Sequence, residues 1–146
     1  MRLTQLTCEN FRCLSLVDYR PAPGVNVIRG DNAQGKTSLL EALLYCATGR
    51  SHRTRLDTEL VRKSQDGFRV AAHIDRLSGE VILEAAWWNG GKRLKVNGVA
   101  QPKVSDVLGK ANVVFFSPED VILVRGSASE RRRFLDIGIS QIHPPY

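Results

Sequence analysis

The chain has 146 residues, 42% hydrophobic and 25% charged, with a formal net charge of +6. This length suits one domain with a modest core, and the composition excludes a disordered or fibrous protein. No apolar run approaches the roughly 18–20 residues of a membrane-spanning helix, and the amino terminus lacks the apolar core of a secretory signal. The cysteines, Cys8, Cys13 and Cys46, form no CxxC pair. That favours a reducing, cytoplasmic location over a disulfide framework or a metal site.

The first third of the chain predicts strands followed by a helix. Short strands are expected over residues 2–8 and 14–19, and a third over 25–29, after breaks at proline and glycine. A helix should begin near Lys36 and end at Gly49. Its apolar residues recur at helical spacing and give it a broad apolar face: Leu39, Leu40, Leu43, Leu44 and Ala47.

The middle of the chain changes to a strand pattern. Residues 50–67 are polar and basic, with a short helix around 58–63. Strands are expected over 68–75, 81–88 and 93–96. The hairpin signal Asn89-Gly90 lies between the second and third of these strands, and Asn97-Gly98 follows the third. In the strand over 81–88, the adjacent tryptophans are expected on opposite faces.

The last third predicts helical turns around a buried strand. A short helix over 104–108 leads to the strand over 112–116, which reads VVFF at its core. Ser127 and Glu130 have the spacing of a capping box for a final helix. Leu135, Ile139 and Ile142 fall on one face of that helix.

One motif carries strong functional information. The octapeptide GDNAQGKT matches GxxxxGK[ST] and comprises Gly30, Asp31, Asn32, Ala33, Gln34, Gly35, Lys36 and Thr37. The glycines allow backbone N–H groups to converge on phosphate oxygens, and the following helix adds its N-terminal partial charge. Lys36 is expected to reach the β- and γ-phosphates, and the Thr37 hydroxyl to ligate Mg²⁺. A chance glycine-rich turn is disfavoured by the strand and helix predicted on either side.

Two other segments resemble nucleotide-binding motifs in part. Residues 77–80 begin like the LSGG signature, but they separate two strand-like runs, so a hairpin turn explains them better. Residues 113–116 resemble a Walker B strand, but Ser117-Pro118 intervenes before the acids. Glu119 is a candidate to contact the metal through water, and an ordinary acid at a helix start is the alternative.

No residue is a convincing general base. Glu41 is expected on the solvated side of the helix that begins near Lys36, just after the phosphate-binding loop, or P-loop, and the histidines are scattered. Positive charge concentrates at residues 50–63, with five basic residues against two acidic, and at 125–133, with four against one. Such clusters either contact a polyanion such as DNA or form a solvated surface.

Four segments together resemble the RecF family of bacterial recombinational-repair ATPases. They are ENFR at residues 9–12, the P-loop at 30–37, GRSHRT at 49–54 and SPEDVILVRGSASERRRFLD at 117–136. Ala128 stands where the family usually has proline. The resemblance implies an α/β fold of the P-loop NTPase class, namely lobe I of an ABC/SMC-type ATPase head with an antiparallel strand meander beside the P-loop helix. Residues 1–146 would form the N-terminal ATP-binding lobe.

The same resemblance implies ATP and Mg²⁺ as cofactors, and DNA at single-strand/duplex junctions, RecO and RecR as partners in RecA loading. In related heads an arginine of the Asn-Phe-Arg segment approaches the nucleotide, so Arg12 is a candidate, with a hairpin-end salt bridge as the alternative.

RecF proteins are more than twice this length, and their second lobe carries the Walker B acids, the signature motif and the switch histidine. We therefore expect weak nucleotide binding and negligible turnover from this chain, and ATP-dependent homodimers only from the full-length protein. The alternatives are a nucleotide-independent DNA-binding or scaffold module, another SMC-like ATPase head, and a self-sufficient P-loop enzyme such as a small kinase.

Overall fold

In the computed structural model of the chain, the described residues are 1–118 and 127–142. Within them six strands form one antiparallel sheet in the order β2-β1-β3-β4-β5-β6. The strands are β1 (Arg2–Phe11), β2 (Leu14–Tyr19), β3 (Gly67–Arg76), β4 (Gly79–Trp88), β5 (Gly91–Val96) and β6 (Val99–Gln101). The helices are α1 (Lys36–Thr48) and α2 (Ala128–Ile142), with 3-10 turns at Asp57–Leu60 and Val104–Asp106.

Tight turns set the register of the sheet. Asn89-Gly90 joins β4 to β5 and Asn97-Gly98 joins β5 to β6, each with positive φ at both residues. Two-residue hairpins prefer this geometry because its twist matches that of the flanking strands. Arg76 pairs with Gly79, so Leu77-Ser78 is also a hairpin turn. The expectation that residues 77–80 form a turn and not a signature motif is confirmed.

The core lies between one face of the sheet and α1. Strand alternation points the apolar side chains of β1, β3 and β4 to this face, where α1 packs across all three. Phe68 lies at its centre, with ring centroids 5.1 Å from Phe11 and 5.4 Å from Tyr45 in edge-on geometry. The other face carries polar side chains interspersed with apolar ones. Trp87 packs against the core and Trp88 is exposed, so the tryptophans lie on opposite faces as predicted.

Helix α1 begins at Lys36 and ends before Gly49, as predicted. The N–H of Gly49 donates to the Tyr45 carbonyl at 2.8 Å, and its φ of 63° is the left-handed conformation that favours glycine at a helix end. Helix α2 begins directly after Ser127. The side chains of Glu130 and Ile142 lie outside the described set, and Leu135 is exposed. No described helix is long and apolar enough to cross a membrane.

The strand predicted over residues 25–29 is wrong for the described structure. The segment is irregular, and the side chains of Val25 and Val27 are 92% and 70% exposed. Alternating apolar residues favour a strand only when a neighbouring strand accepts their backbone hydrogen bonds. No described strand pairs with this segment.

The buried strand predicted over residues 112–116 is also wrong. These residues belong to no strand, and Val114 and Phe116 are 96% and 82% exposed. Val113 and Phe115 are half-buried: Val113 packs against the core, and the Phe115 ring lies 4.2 Å from that of His52. One side of the segment therefore contacts the domain and the other faces solvent. Glu119, the metal candidate after it, lies outside the described residues.

Candidate phosphate-binding site

The segment from Gly30 to Gly35 forms a tight loop that leads directly into α1. Three of its residues have positive φ: Gly30 at 152°, Ala33 at 64° and Gly35 at 93°. Glycine reaches these conformations without strain, which explains both fixed glycines of the motif. The loop is exposed, including Asp31, Asn32, Ala33 and Gln34.

Gly35 is also required by packing. A Cβ at this position would lie 2.5 Å from Leu14 Cδ2 and 3.0 Å from Cys13 Sγ. Cys13 lies in the turn between β1 and β2, and Leu14 is the first residue of β2. The start of α1 therefore packs closely against that turn, and a Cβ at position 35 would have to displace the end of the Leu14 side chain.

The amino terminus of α1 offers backbone donors to an anion. Its first-turn residues include no acid, and no described side chain caps it. The Leu39 N–H donates to the Gly35 carbonyl at 2.9 Å, which begins the helical ladder. The N–H groups before it have no intrahelical acceptor and carry the positive end of the helix dipole. This arrangement fits a phosphate group.

The Lys36 side chain folds back over the loop. Its Nζ donates to the carbonyl oxygens of Gly30 at 2.7 Å and Asp31 at 2.5 Å. The ammonium group therefore lies over the loop beside the helix start, where phosphate oxygens would be held. Phosphate oxygens would compete with these carbonyls for the same three donors.

Thr37 is exposed at the second position of α1, so its hydroxyl is accessible to a cation. Magnesium usually takes one or two protein oxygens and completes its shell with phosphate oxygens and water. Among the described residues no group of three or more His, Cys, Asp or Glu could hold a metal. A single accessible hydroxyl is compatible with a magnesium ion that takes its other oxygens from a bound phosphate and water.

Glu41 is fully buried, so its expected position on the solvated side of α1 is wrong. Its carboxylate accepts hydrogen bonds from Arg12 Nε at 3.0 Å, Arg12 Nη2 at 2.8 Å and Ser51 Oγ at 2.5 Å. Burial acts to raise the pKa of Glu41, but the hydrogen bonds from Arg12 and Ser51 outweigh it and lower the pKa below its ordinary value. The buried negative charge of Glu41 is tolerated because each of its carboxylate oxygens accepts at least one hydrogen bond.

Arg12 lies in the β1–β2 turn and forms the hairpin-end salt bridge that the sequence offered as one alternative. Besides the ion pair with Glu41, its Nη1 donates to the Glu59 carbonyl at 3.0 Å. Its backbone N–H donates to the Leu60 carbonyl. A contact between Arg12 and a nucleotide stays a prediction.

Sequence reasoning missed a second polar group on the same helix. Tyr45 Oη donates to Asp57 Oδ1 at 2.8 Å, and Asp57 Oδ2 pairs with Lys92 Nζ at 3.0 Å. Lys92 also donates to the Gly49 carbonyl at 2.7 Å. A signal was present: polar residues recur at positions 38, 41, 45 and 48, which is one stripe of an otherwise apolar helix. Such a stripe indicates a buried hydrogen-bond network.

Comparison with known proteins agrees with this geometry. The AAA-domain family matches residues 5–92, so the chain belongs to that family. The fold is shared with the SMC head domain from Thermotoga maritima, with a TM-score of 0.62 and 16% identity over 73% of this chain and 41% of that one.

More specific similarity is to RecF. The chain is 42% identical over its whole length to the DNA replication and repair protein RecF of Streptococcus uberis and to that of Halalkalibacterium halodurans, covering 40% and 39% of them. A structure of the recombination mediator protein RecF with ATP superposes with a TM-score of 0.93 and 37% identity, over 99% of this chain and 39% of that one. The chain belongs to the RecF family and spans about two fifths of the length of these relatives.

Proposed function

We propose that the chain is the N-terminal ATP-binding lobe of a RecF-like recombinational DNA repair ATPase. The observation that carries this proposal is the loop from Gly30 to Gly35, which ends at the uncapped start of α1 with Lys36 Nζ folded over it. The similar RecF structures with ATP and with ATPγS support adenine nucleotide as the ligand.

The loop backbone, Lys36 and Thr37 have different roles in this proposal. The backbone of residues 30–35 surrounds the phosphates, Lys36 neutralises their charge, and Thr37 contributes its hydroxyl to Mg²⁺. A bound magnesium ion would offset the charge of the phosphates. Glu119 stays a second candidate for contact with it through water.

We also propose that this chain binds ATP weakly and turns it over slowly. The loop is exposed, so its charge interactions with phosphate act in a high-dielectric medium and are reduced by salt. Hydrolysis needs a base that activates water. Glu41, the acid nearest to the P-loop in α1, is buried and engaged by Arg12 and Ser51, so it does not serve.

Similarity to the RecF family supports a proposal about the wider role of the protein. We propose that the protein binds DNA at single-strand/duplex junctions and assists RecA loading with RecO and RecR in the cytoplasm, and that the full-length protein dimerises around ATP. The exposed Arg131 and Arg132 of α2 and the arginines of residues 50–55 are candidates for DNA or partner contacts. Phosphate contacts would steepen the salt dependence of binding without reading sequence.

The proposal is tested by titrating fluorescent ATP, with Mg²⁺, into wild type, Lys36→Ala and Lys63→Ala. The last removes the same charge from an exposed position outside the loop. We expect Lys36→Ala to lose at least about tenfold in affinity, because charge-assisted hydrogen bonds to phosphate are lost, and Lys63→Ala to bind like wild type. A nucleotide-independent scaffold module predicts no difference between Lys36→Ala and wild type. That result would overturn the proposal.

A further inference from the structure

A second cationic cleft lies alongside α1, beyond its first turn. It has a volume of about 400 Å³ and is lined by Arg50, Ser51, Thr54, Arg55, Asp57 and Lys92. Its lining residues contact α1 from Glu41, through Ser51, to Gly49, through Lys92. None of the lining residues belongs to the P-loop, so a ligand held by Arg50 and Arg55 would use donors other than those at Lys36.

The charges of the cleft are unbalanced. Asp57 is already paired with Lys92 at 3.0 Å and accepts the Tyr45 hydroxyl at 2.8 Å. Neither the guanidinium of Arg50 nor that of Arg55 has a hydrogen-bond or ion-pair partner in the part of the chain that the structure describes. Two guanidinium groups without counter-charge thus border one cleft, and its net positive charge favours an anion.

The loop that carries these arginines is ordered by its own hydrogen bonds. Ser51 Oγ donates to buried Glu41 and accepts from the N–H groups of Arg53 at 3.0 Å and Thr54 at 3.2 Å. Thr48 Oγ1 accepts a hydrogen bond from the Arg50 N–H at 3.3 Å and donates to the Leu44 carbonyl at 2.8 Å. A loop fixed in this way loses little conformational entropy when a ligand binds.

We propose that this cleft is a second anion site, which binds a phosphate group between Arg50 and Arg55. The Thr54 hydroxyl accepts the N–H of Leu56 at 3.1 Å, so its own proton is available to a phosphate oxygen. Arginine forks match phosphate geometry by donating two parallel hydrogen bonds. The phosphate belongs either to a nucleic-acid backbone or to a free diphosphate. The site does not depend on nucleotide binding at the P-loop, whereas its nucleic-acid form rests on the DNA contact proposed above for the arginines of residues 50–55.

The test uses the chain with Lys36→Ala, so that the P-loop does not contribute. Inorganic pyrophosphate and a labelled single-stranded oligothymidylate are titrated separately into this background. Each is compared with the same background carrying Arg50→Gln and Arg55→Gln. The matched control carries Arg93→Gln and Lys95→Gln, which remove the same charge at exposed positions of β5 outside the lining. Circular dichroism checks that all variants are folded.

We expect the two substitutions Arg50→Gln and Arg55→Gln together to weaken binding about tenfold more than the two control substitutions. The reason is that directed hydrogen bonds are lost in addition to net charge. A selective loss with the oligothymidylate assigns the phosphate to a nucleic-acid backbone. A selective loss with pyrophosphate alone assigns it to a free diphosphate. Equal losses in the two pairs with both probes, or no binding of either probe, would overturn the site. Because Lys36 is absent throughout, these outcomes are independent of whether ATP binds at the P-loop.

Discussion

Arg12 donates a hydrogen bond to each carboxylate oxygen of Glu41, from Nε at 3.0 Å and from Nη2 at 2.8 Å. Arg12 lies in the β1–β2 turn, and Glu41 lies one turn beyond Thr37 on the helix that follows the P-loop. The pair therefore fastens the sheet edge to the phosphate-binding end of α1. Since Glu41 also accepts from Ser51, the same carboxylate anchors the loop that leads to the second cleft.

The first prediction concerns the stability contributed by this pair. Arg12→Ala leaves a buried carboxylate without its main partner, so the free energy of unfolding should fall by about 3 kcal/mol. Urea denaturation measures it. The matched control is Arg20→Ala, which breaks a solvent-exposed pair with Asp18 and should change little. Similar losses in both variants would show that the Arg12–Glu41 pair contributes no more than a surface contact.

The second prediction is a pH dependence. The pKa of Glu41 is lowered from its ordinary value of 4.5: burial raises it, but the Arg12 and Ser51 hydrogen bonds dominate. The unfolded chain binds the proton first, so the pair's stabilisation is complete above about pH 5 and is lost as the pH falls through the folded pKa. Glu41→Gln removes this titration. Its unfolding free energy, measured by urea denaturation at several pH values, should fall less steeply below pH 4.5 than that of wild type. Parallel curves would contradict the assignment.

The third prediction separates steric from backbone effects at the helix start. Gly35→Ala forces a Cβ to within 2.5 Å of Leu14 in a left-handed conformation. We expect a loss of about 2–4 kcal/mol in unfolding free energy, together with weaker ATP binding. Gly24→Ala is the control, because Gly24 also has positive φ but open space around it. It should lose only about 1–2 kcal/mol, because alanine is strained in the left-handed conformation. Equal losses would remove packing against Leu14 as a reason for Gly35.

The fourth prediction uses the thiols. Burial raises the pKa of Cys8 to about 12 and that of Cys46 well above its ordinary value, whereas Cys13 is exposed. Since the thiolate is the reactive form, Ellman's reagent should modify Cys13 alone in the folded chain at about pH 8. Cys13 Sγ lies 3.8 Å from Ser38 Oγ at the helix start, so ATP should slow its modification. Cys13→Ser is the control. Fast reaction that persists in Cys13→Ser would contradict the burial of the other two.

Features set by local chemistry could be predicted from the sequence. Asn89-Gly90 and Asn97-Gly98 specify their hairpins because both residues tolerate positive φ. Helix α1 follows from its apolar periodicity and from Gly49. The P-loop is equally local, since its glycines, lysine and threonine act within eight consecutive residues.

Features that depend on distant residues could not be predicted. Glu41 reads as a solvated acid because its partner, Arg12, lies 29 positions away in the sequence. Residues 25–29 and 112–116 have apolar patterns typical of strands, yet pairing is decided by which other strand lies alongside. Their exposed valines and phenylalanine are a property of the tertiary arrangement, which an apolar pattern alone does not reveal.

The central claim is that residues 30–37 bind the phosphates of ATP. A ¹H–¹⁵N titration of the labelled chain with Mg-ATP tests it most directly, because each backbone amide of the loop reports separately. We predict that the largest shifts fall on amides of Gly30 to Thr37 and disappear in Lys36→Ala. Shifts that leave these amides unchanged, or that persist undiminished in Lys36→Ala, would contradict the account.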